Sequence, residues 1–234
     1  GQNRRFDARV QWLRKWIGDT SNPFGELQSF DLFAFQDIRS WIAIKPNPEA
    51  DFWILDKERA GGGVVMSLLI HLLDLVRALS GLDFVEATAR ARFDPPFKNG
   101  AESACSGLLT LSNGAAGTFH ANYLAPRHPR AGEGLTLFGT EGMARHAGRW
   151  EYATAAGKGP SPWGKPDEGL AAVPVDAATP FHSFTTQLLS FAEAVKGGTR
   201  PLNHLEDNFN TLAVVEAIYS SIDASGQPVA VARP

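Results

Sequence analysis

GGGVVMSLLIHLLDLVRALSG, residues 61–81, decides the reading of this chain. Three glycines open it. Residues 64–80 are apolar almost all round, which predicts a buried helix closed by Gly81. Its polar exceptions are Ser67, His71, Asp74 and Arg77. The first three recur at i, i+4 and i+7 and so share one narrow stripe. A buried polar stripe is unfavourable unless each group finds a partner or faces a wet cavity. Two readings stand side by side. In one, His71 and Asp74 are satisfied core groups that pin the helix to its neighbours. In the other, His71 faces a substrate cavity as proton donor or acceptor, because histidine titrates near neutral pH.

Before this stretch, residues 7–17 read as a helix with Asp7 as N-cap and Gly18 as its stop. Residues 27–36 suit a strand that is apolar on both faces, and 37–62 are irregular. After it, the period changes to two. Val85, Ala87, Ala89, Ala91 and Phe93 alternate with Glu86, Thr88, Arg90 and Arg92. Strands over 103–111 and 115–123 follow, joined at Ser112-Asn113-Gly114, a strong hairpin signal. Short strands are expected at 134–138, 142–147, 149–154 and 170–175, with a surface loop over 155–169. Helices over 182–196 and 204–224 come next, the second starting at Asn203 with Glu206, and a strand at 228–232 ends the chain. Consecutive strands with short turns, and helices segregated from them, predict α+β: a predominantly antiparallel open sheet with helices on one face. The dinucleotide fingerprint is absent. Met66 stands where the third glycine of that motif would be, and no strand-like run leads directly into Gly61.

At 234 residues the chain is long enough for a core that needs no staple, and Cys105, its only cysteine, excludes a disulfide framework and a cysteine zinc site. A net charge of −3 offers no basic excess for nucleic acid or an anionic membrane. No run of about 18 uninterrupted apolar residues suggests a membrane span. No nucleophile-elbow, metal-ligand or phosphate-loop pattern appears, so no metal is expected.

The stretch 61–81 resembles the signature of the glucose–fructose oxidoreductase, inositol dehydrogenase and rhizopine-catabolism (Gfo/Idh/MocA) family. Members of that family carry three glycines, then an aspartate, a glycine, a histidine and a further aspartate. Here Gly61 to Gly63, His71 and Asp74 match, whereas Ser67 stands for the first aspartate and Leu69 for the glycine. Asn3-Arg4-Arg5-Phe6 resembles the crossover out of the family's dinucleotide domain. Trp53 with Asp56, Gly139-Thr140-Glu141-Gly142 and the ending 211–231 are similar to other family features.

The resemblance implies that residues 1–234 form a C-terminal substrate-binding and oligomerisation domain, with 1–25 as the crossover from a dinucleotide-binding domain. It implies an oxidoreductase using NAD or NADP on a sugar- or cyclitol-like alcohol carbon, a homodimer or homotetramer built through the sheet, and a cytoplasmic location unless an export signal lies upstream. It places Gly62 and Gly63 near the cofactor and makes His71 the catalytic residue. Ser67 and Asp74 are expected near the substrate. A serine there lacks the fixed negative charge of an aspartate, which keeps open a family member that has lost chemistry and binds a ligand or a partner protein. A free-standing α+β binding domain is a third reading. On strand 115–123, His120 and Asn122 are candidates for the substrate site, for an oligomer contact, or for a solvated sheet face. Arg127, with His128 and Arg130, suits an anion or a solvated loop. Trp41, Trp53 and Trp163 suit a sugar ring or ordinary packing.

Overall fold

A computed structural model describes residues 2–21, 23–44, 52–126, 132–154, 169–175 and 182–232. After a single 3-10 turn, Asn3–Phe6, helix α1 spans Ala8–Ile17. The Asp7 side chain accepts the Arg9 N–H at 2.9 Å, and Gly18 closes the helix as expected. Strand β1 (Leu27–Phe35) leads into an excursion that is less irregular than expected, because it carries helices α2 (Ile38–Ile42) and α3 (Lys57–Ala60). The core helix opens with a π turn, Val65–Leu69, and continues as α4 (Ile70–Ser80), with Gly81 left-handed at φ 71°. By length and composition Lys57–Ser80 would cross a membrane, but 67% of its apolar window is buried inside the fold, as in the core helix of a globular domain.

Strands β2 (Phe84–Arg92), β3 (Ala104–Leu111), β4 (Ala116–Asn122), β5 (Gly132–Gly139), β6 (Gly142–Ala147) and β7 (Trp150–Thr154) follow, then a short β8 (Ala171–Ala172). Helices α5 (His182–Gly197) and α6 (Leu205–Asp223) and the short β9 (Val229–Ala230) end the fold. The N-cap of α6 is His204 rather than Asn203, and its ring accepts the Asp207 N–H. The nine strands make one sheet in the order β8-β7-β6-β5-β1-β4-β3-β2-β9. Among the described strands only β1 and β4 pair in parallel. The architecture is therefore the expected α+β open sheet.

Alternation along the strands creates two different faces. Phe30, Leu32, Ala34, Leu109, Phe119, Ala121, Leu135 and Leu137 are buried beneath the helices. Thr118, His120, Ser106, Leu108 and Phe138 are exposed on the other side. The hairpin at Asn113 forms as expected. Gly114 lies at φ 87°, and the Asn113 side chain accepts the Ala115 N–H and donates to the Leu27 carbonyl.

The helical layer is tied together by charge. Arg5 grips Asp74 with two bonds of 2.6 Å, and Asp74 also accepts from Thr211 on α6. Arg5 reaches Asp207 at 2.5 Å, and Arg77 reaches Asp207 at 2.9 Å and Asp83 at 2.8 Å. Asp74 is wholly buried and Arg5 nearly so. Removing one partner of such a pair leaves the other charge uncompensated in the interior. Asp74→Ala is therefore expected to lower unfolding free energy by about 3–5 kcal/mol. Asp83, half exposed beside Arg77, is the control, and Asp83→Ala should change stability by no more than about 1 kcal/mol. Urea titrations of the two variants check the contrast.

Candidate functional site

The glycine run is the place to begin. Glu102, in the turn between β2 and β3, is buried against the start of the core helix. Its carboxylate accepts the N–H groups of Gly63 and Val65, each at 2.8 Å, and Tyr219 donates to it at 3.2 Å. Its backbone carbonyl accepts the Val64 N–H at 3.1 Å. A carboxylate at a helix N-terminus meets unpaired N–H groups and the positive end of the helix dipole. A Cβ on Gly63 would collide with the Glu102 backbone, and one on Gly62 with the Tyr219 hydroxyl. Gly62 and Gly63, expected beside a cofactor, are thus buried against this chain's own residues. Close approach is what requires them.

The π turn that follows carries Ser67. Its hydroxyl bonds back to the Gly63 carbonyl at 2.5 Å and lies 2.8 Å from the Tyr123 hydroxyl. A serine has one proton to give. With that proton on Gly63, Tyr123 is the donor to Ser67. Burial pushes the Tyr123 phenol up, which keeps it a donor. Single π turns inside α-helices occur frequently at functional sites.

His71 is half-buried, and its Nδ1 lies 2.9 Å from Gln2 Oε1. An oxygen acceptor there places the ring proton on Nδ1 and leaves Nε2 with a lone pair. Burial, reinforced by the positive charge of Arg4, lowers the His71 pKa to about 4. The ring is therefore neutral at pH 7, with Nε2 free of a proton, and the same burial makes it a weaker base than an exposed imidazole.

The expected stripe thus has three separate sets of partners. Ser67 faces Gly63 and Tyr123, His71 faces Gln2, and Asp74 faces Arg5 and Thr211. Asp74 was expected at the substrate. It is instead an enclosed structural carboxylate, because the two bonds from Arg5 and the Thr211 hydroxyl consume its acceptor sites. His120 and Asn122 are not brought to His71. His120 lies on the open sheet face with Nδ1 3.0 Å from Ser106, and the Asn122 side chain caps the Leu124 N–H at 2.6 Å. Trp41 and Trp53 are half exposed rather than packed. Arg127, His128, Arg130 and Trp163 lie outside the described residues. No cluster of three metal-ligating side chains occurs among the described residues.

Sequence reasoning missed Gln2, Tyr123, Glu102 and Tyr219. Tyr123 carried a usable signal, since it alternates with the inward-facing Phe119 and Ala121. Glu102 carried only an indirect one, the glycine run that its backbone demands.

Residues 10–145 match the family model described as the GFO/IDH/MocA C-terminal domain. The chain belongs to this family. It is 28% identical over 189 residues to 1,5-anhydro-D-fructose reductase of Ensifer adhaerens, which covers 81% of this chain and 54% of that protein. Among solved structures it is similar to a levoglucosan dehydrogenase in complex with NADH and levoglucosan, at 20% identity and a TM-score of 0.79 over 100% of this chain and 65% of that one. It is also similar to an aldose-aldose oxidoreductase from Caulobacter crescentus complexed with glycerol, at 21% identity and a TM-score of 0.76 over 98% of this chain and 62% of that one. The chain therefore spans about half the length of that reductase and under two thirds of those two solved chains.

A second histidine, His146, packs on Trp150 with ring centroids 4.6 Å apart. Burial, with Arg4 and Arg9 nearby, lowers its pKa to about 4 as well. Both imidazoles are neutral in the fold and protonate near pH 6.5 when it is lost. Between about pH 6.5 and 4 the unfolded chain binds more protons, so stability falls as pH falls through that window. The urea midpoint should drop from pH 7 to pH 4.5, and the double variant His71→Gln, His146→Gln should flatten that drop. A double variant with the full wild-type slope would refute it.

Proposed function

We propose that this chain is the substrate-binding and oligomerisation domain of an NAD(P)-dependent oxidoreductase acting on an alcohol carbon of a sugar- or cyclitol-like molecule. The observation that carries the reading is His71, a neutral imidazole on the family's signature helix. Its Nδ1 is held by Gln2, and its Nε2 is left as an acceptor. Family membership and the sugar-related names of the relatives support it.

The described residues do not form a phosphate cradle, since Gly62 and Gly63 already face Tyr219 and Glu102. The nicotinamide is therefore assigned to a dinucleotide-binding domain preceding residues 1–25. When bound, it supplies the hydride acceptor or donor. His71 takes the hydroxyl proton of the substrate on Nε2 during oxidation and returns it during reduction. The Gln2 contact at Nδ1 holds the ring in the tautomer that this requires. Ser67 orders the helix start through Gly63 and Tyr123 and supplies no charge. That substitution favours the second reading, a family member that binds its ligand without turning it over.

The open sheet face supports self-association. Leu108 and Phe138 are exposed there beside Thr118 and His120, a mixed surface suited to an isologous contact. A net charge of −3 supports a small-molecule partner over nucleic acid or a membrane, and we assign the protein to the cytoplasm.

Two measurements test this reading. Calorimetry with NAD(H) and NADP(H) should show binding to the full-length protein and none to residues 1–234. In the full-length protein, His71→Ala should lower single-turnover hydride transfer by about 10²–10⁴-fold. Ser67→Ala should lower it by less than about tenfold. A full-length protein that binds cofactor and sugar but never turns over would establish the second reading. For assembly, light scattering should find a dimer or tetramer that Leu108→Glu dissociates.

A further inference from the structure

A cavity of about 350 Å³ lies in the helical layer, between the start of α1, the core helix and the β5–β7 end of the sheet. Its size is that of a small-molecule site. The polar groups on its wall are of two kinds. Four are charged and already paired: Arg4 grips Glu133, and Arg9 meets Asp7 at 2.6 Å. Their formal charges cancel. The other two, His146 and Ser183, are uncharged at pH 7 and half-buried. The His146 ring lies on Trp150, and among the described residues no group bonds either of its ring nitrogens. A neutral imidazole offers one donor and one acceptor, and polar groups withdrawn from water are normally met by partners. The Ser183 hydroxyl accepts from Asn3 at 2.9 Å, which leaves its own proton to donate. Leu75 and Trp150 supply an apolar wall beside these groups.

These groups select a class of ligand. An anion would have to draw Arg4 or Arg9 from its carboxylate, and a cation would have to draw Glu133 or Asp7 from its arginine. Either leaves a charge unpaired in a half-buried place, which is unfavourable. An alcohol hydroxyl donates and accepts without charge, which is what His146 and Ser183 call for. The C–H groups of a saturated ring suit Leu75 and the Trp150 indole. We propose that this cavity binds a neutral, polyhydroxylated ring. Leu75 follows His71 by four residues, so the cavity lies one turn along the same face of α4. Arg4 lies two residues after Gln2, which holds His71. A substrate whose reacting ring is at His71 therefore has a place for a second ring. A separate sugar molecule offers the same chemistry. Assigning the ring to the substrate rests on the functional reading above, whereas the ligand class rests on the cavity alone.

The test is titration calorimetry of the full-length protein at pH 7. The probes are glucose, the disaccharides maltose, cellobiose and trehalose, and gluconate as the charged control. His146→Phe keeps a ring on Trp150 and removes both nitrogens. Where the cavity takes the substrate's second ring, one disaccharide binds per chain at least about tenfold tighter than glucose, and His146→Phe removes that gain. Where it takes a separate sugar, two glucose molecules bind per chain and His146→Phe loses one of them. Ser183→Ala, a smaller change at a helix start, should weaken the same binding by about three- to tenfold. Sugar binding that neither variant alters overturns the proposal, as does the absence of any sugar binding. Gluconate binding that exceeds that of every uncharged sugar and is lost in His146→Phe overturns the ligand class.

Nitrogen-15 NMR of the unmutated, histidine-labelled protein gives a readout that no variant's folding can disturb. The His146 imidazole is identified through its contact with the Trp150 indole. Its ring nitrogens should shift on saturation with the sugar that binds, and unmoved resonances overturn the proposal whatever the variants do. A sugar that binds and moves these resonances, yet never reduces NAD(P) on the full-length protein, refutes the functional reading and leaves the site standing.

Discussion

The buried pairing of Arg5 with Asp74 is the constraint on which the arrangement depends. Two unlike charges enclosed in an apolar layer are stable only when each satisfies the other. Asp74 sits on the core helix, Arg5 on the segment that enters the domain, and Thr211 and Asp207 on α6 join them. The three elements are therefore locked in register. Because Gln2 lies three residues before Arg5, the same lock sets Gln2 against His71. An ion pair without catalytic duty thus determines the tautomer of the residue proposed to move the proton.

A second carboxylate governs where the core helix begins. Glu102 supplies to the first turn the acceptors that a local cap would have supplied, and it arrives from a loop 37 to 39 residues away. Gly62 and Gly63 are the consequence, since any side chain there would displace Tyr219 or the Glu102 backbone. The π turn follows directly, and Ser67 sits inside it with its proton committed to Gly63. The serine that replaces the family aspartate is thereby part of the scaffold at the helix start.

The domain has two unlike surfaces, and their chemistry separates their uses. The open sheet face mixes the polar Thr118, His120 and Ser106 with the apolar Leu108 and Phe138. The α5–α6 face is apolar and concave, with Leu188, Phe191 and Leu205 exposed along its groove. His71 lies on the helical side, away from the open sheet face.

Much of the fold was legible in the sequence because it rests on local rules. Period-two alternation in 85–93, the Asn113-Gly114 turn and the Asp7 cap each report a geometry that a few neighbouring residues determine. The core helix was legible from its apolar run, and the family from the histidine and glycines within it. The two charged clamps were not legible, because Arg5 and Asp74 are 69 residues apart and Glu102 and Gly63 are 39 apart, and no local pattern encodes such pairings. The stripe shared by Ser67, His71 and Asp74 was correct as helix geometry and misleading as chemistry. Spacing says which side chains share a face, but only the packed neighbours say whether that face meets an arginine, a tyrosine or a ligand. Sequence alone thus determined the elements, the sheet and the candidate histidine. Tertiary structure decided which polar groups are enclosed and which remain available, because burial and pairing depend on partners distant in the chain.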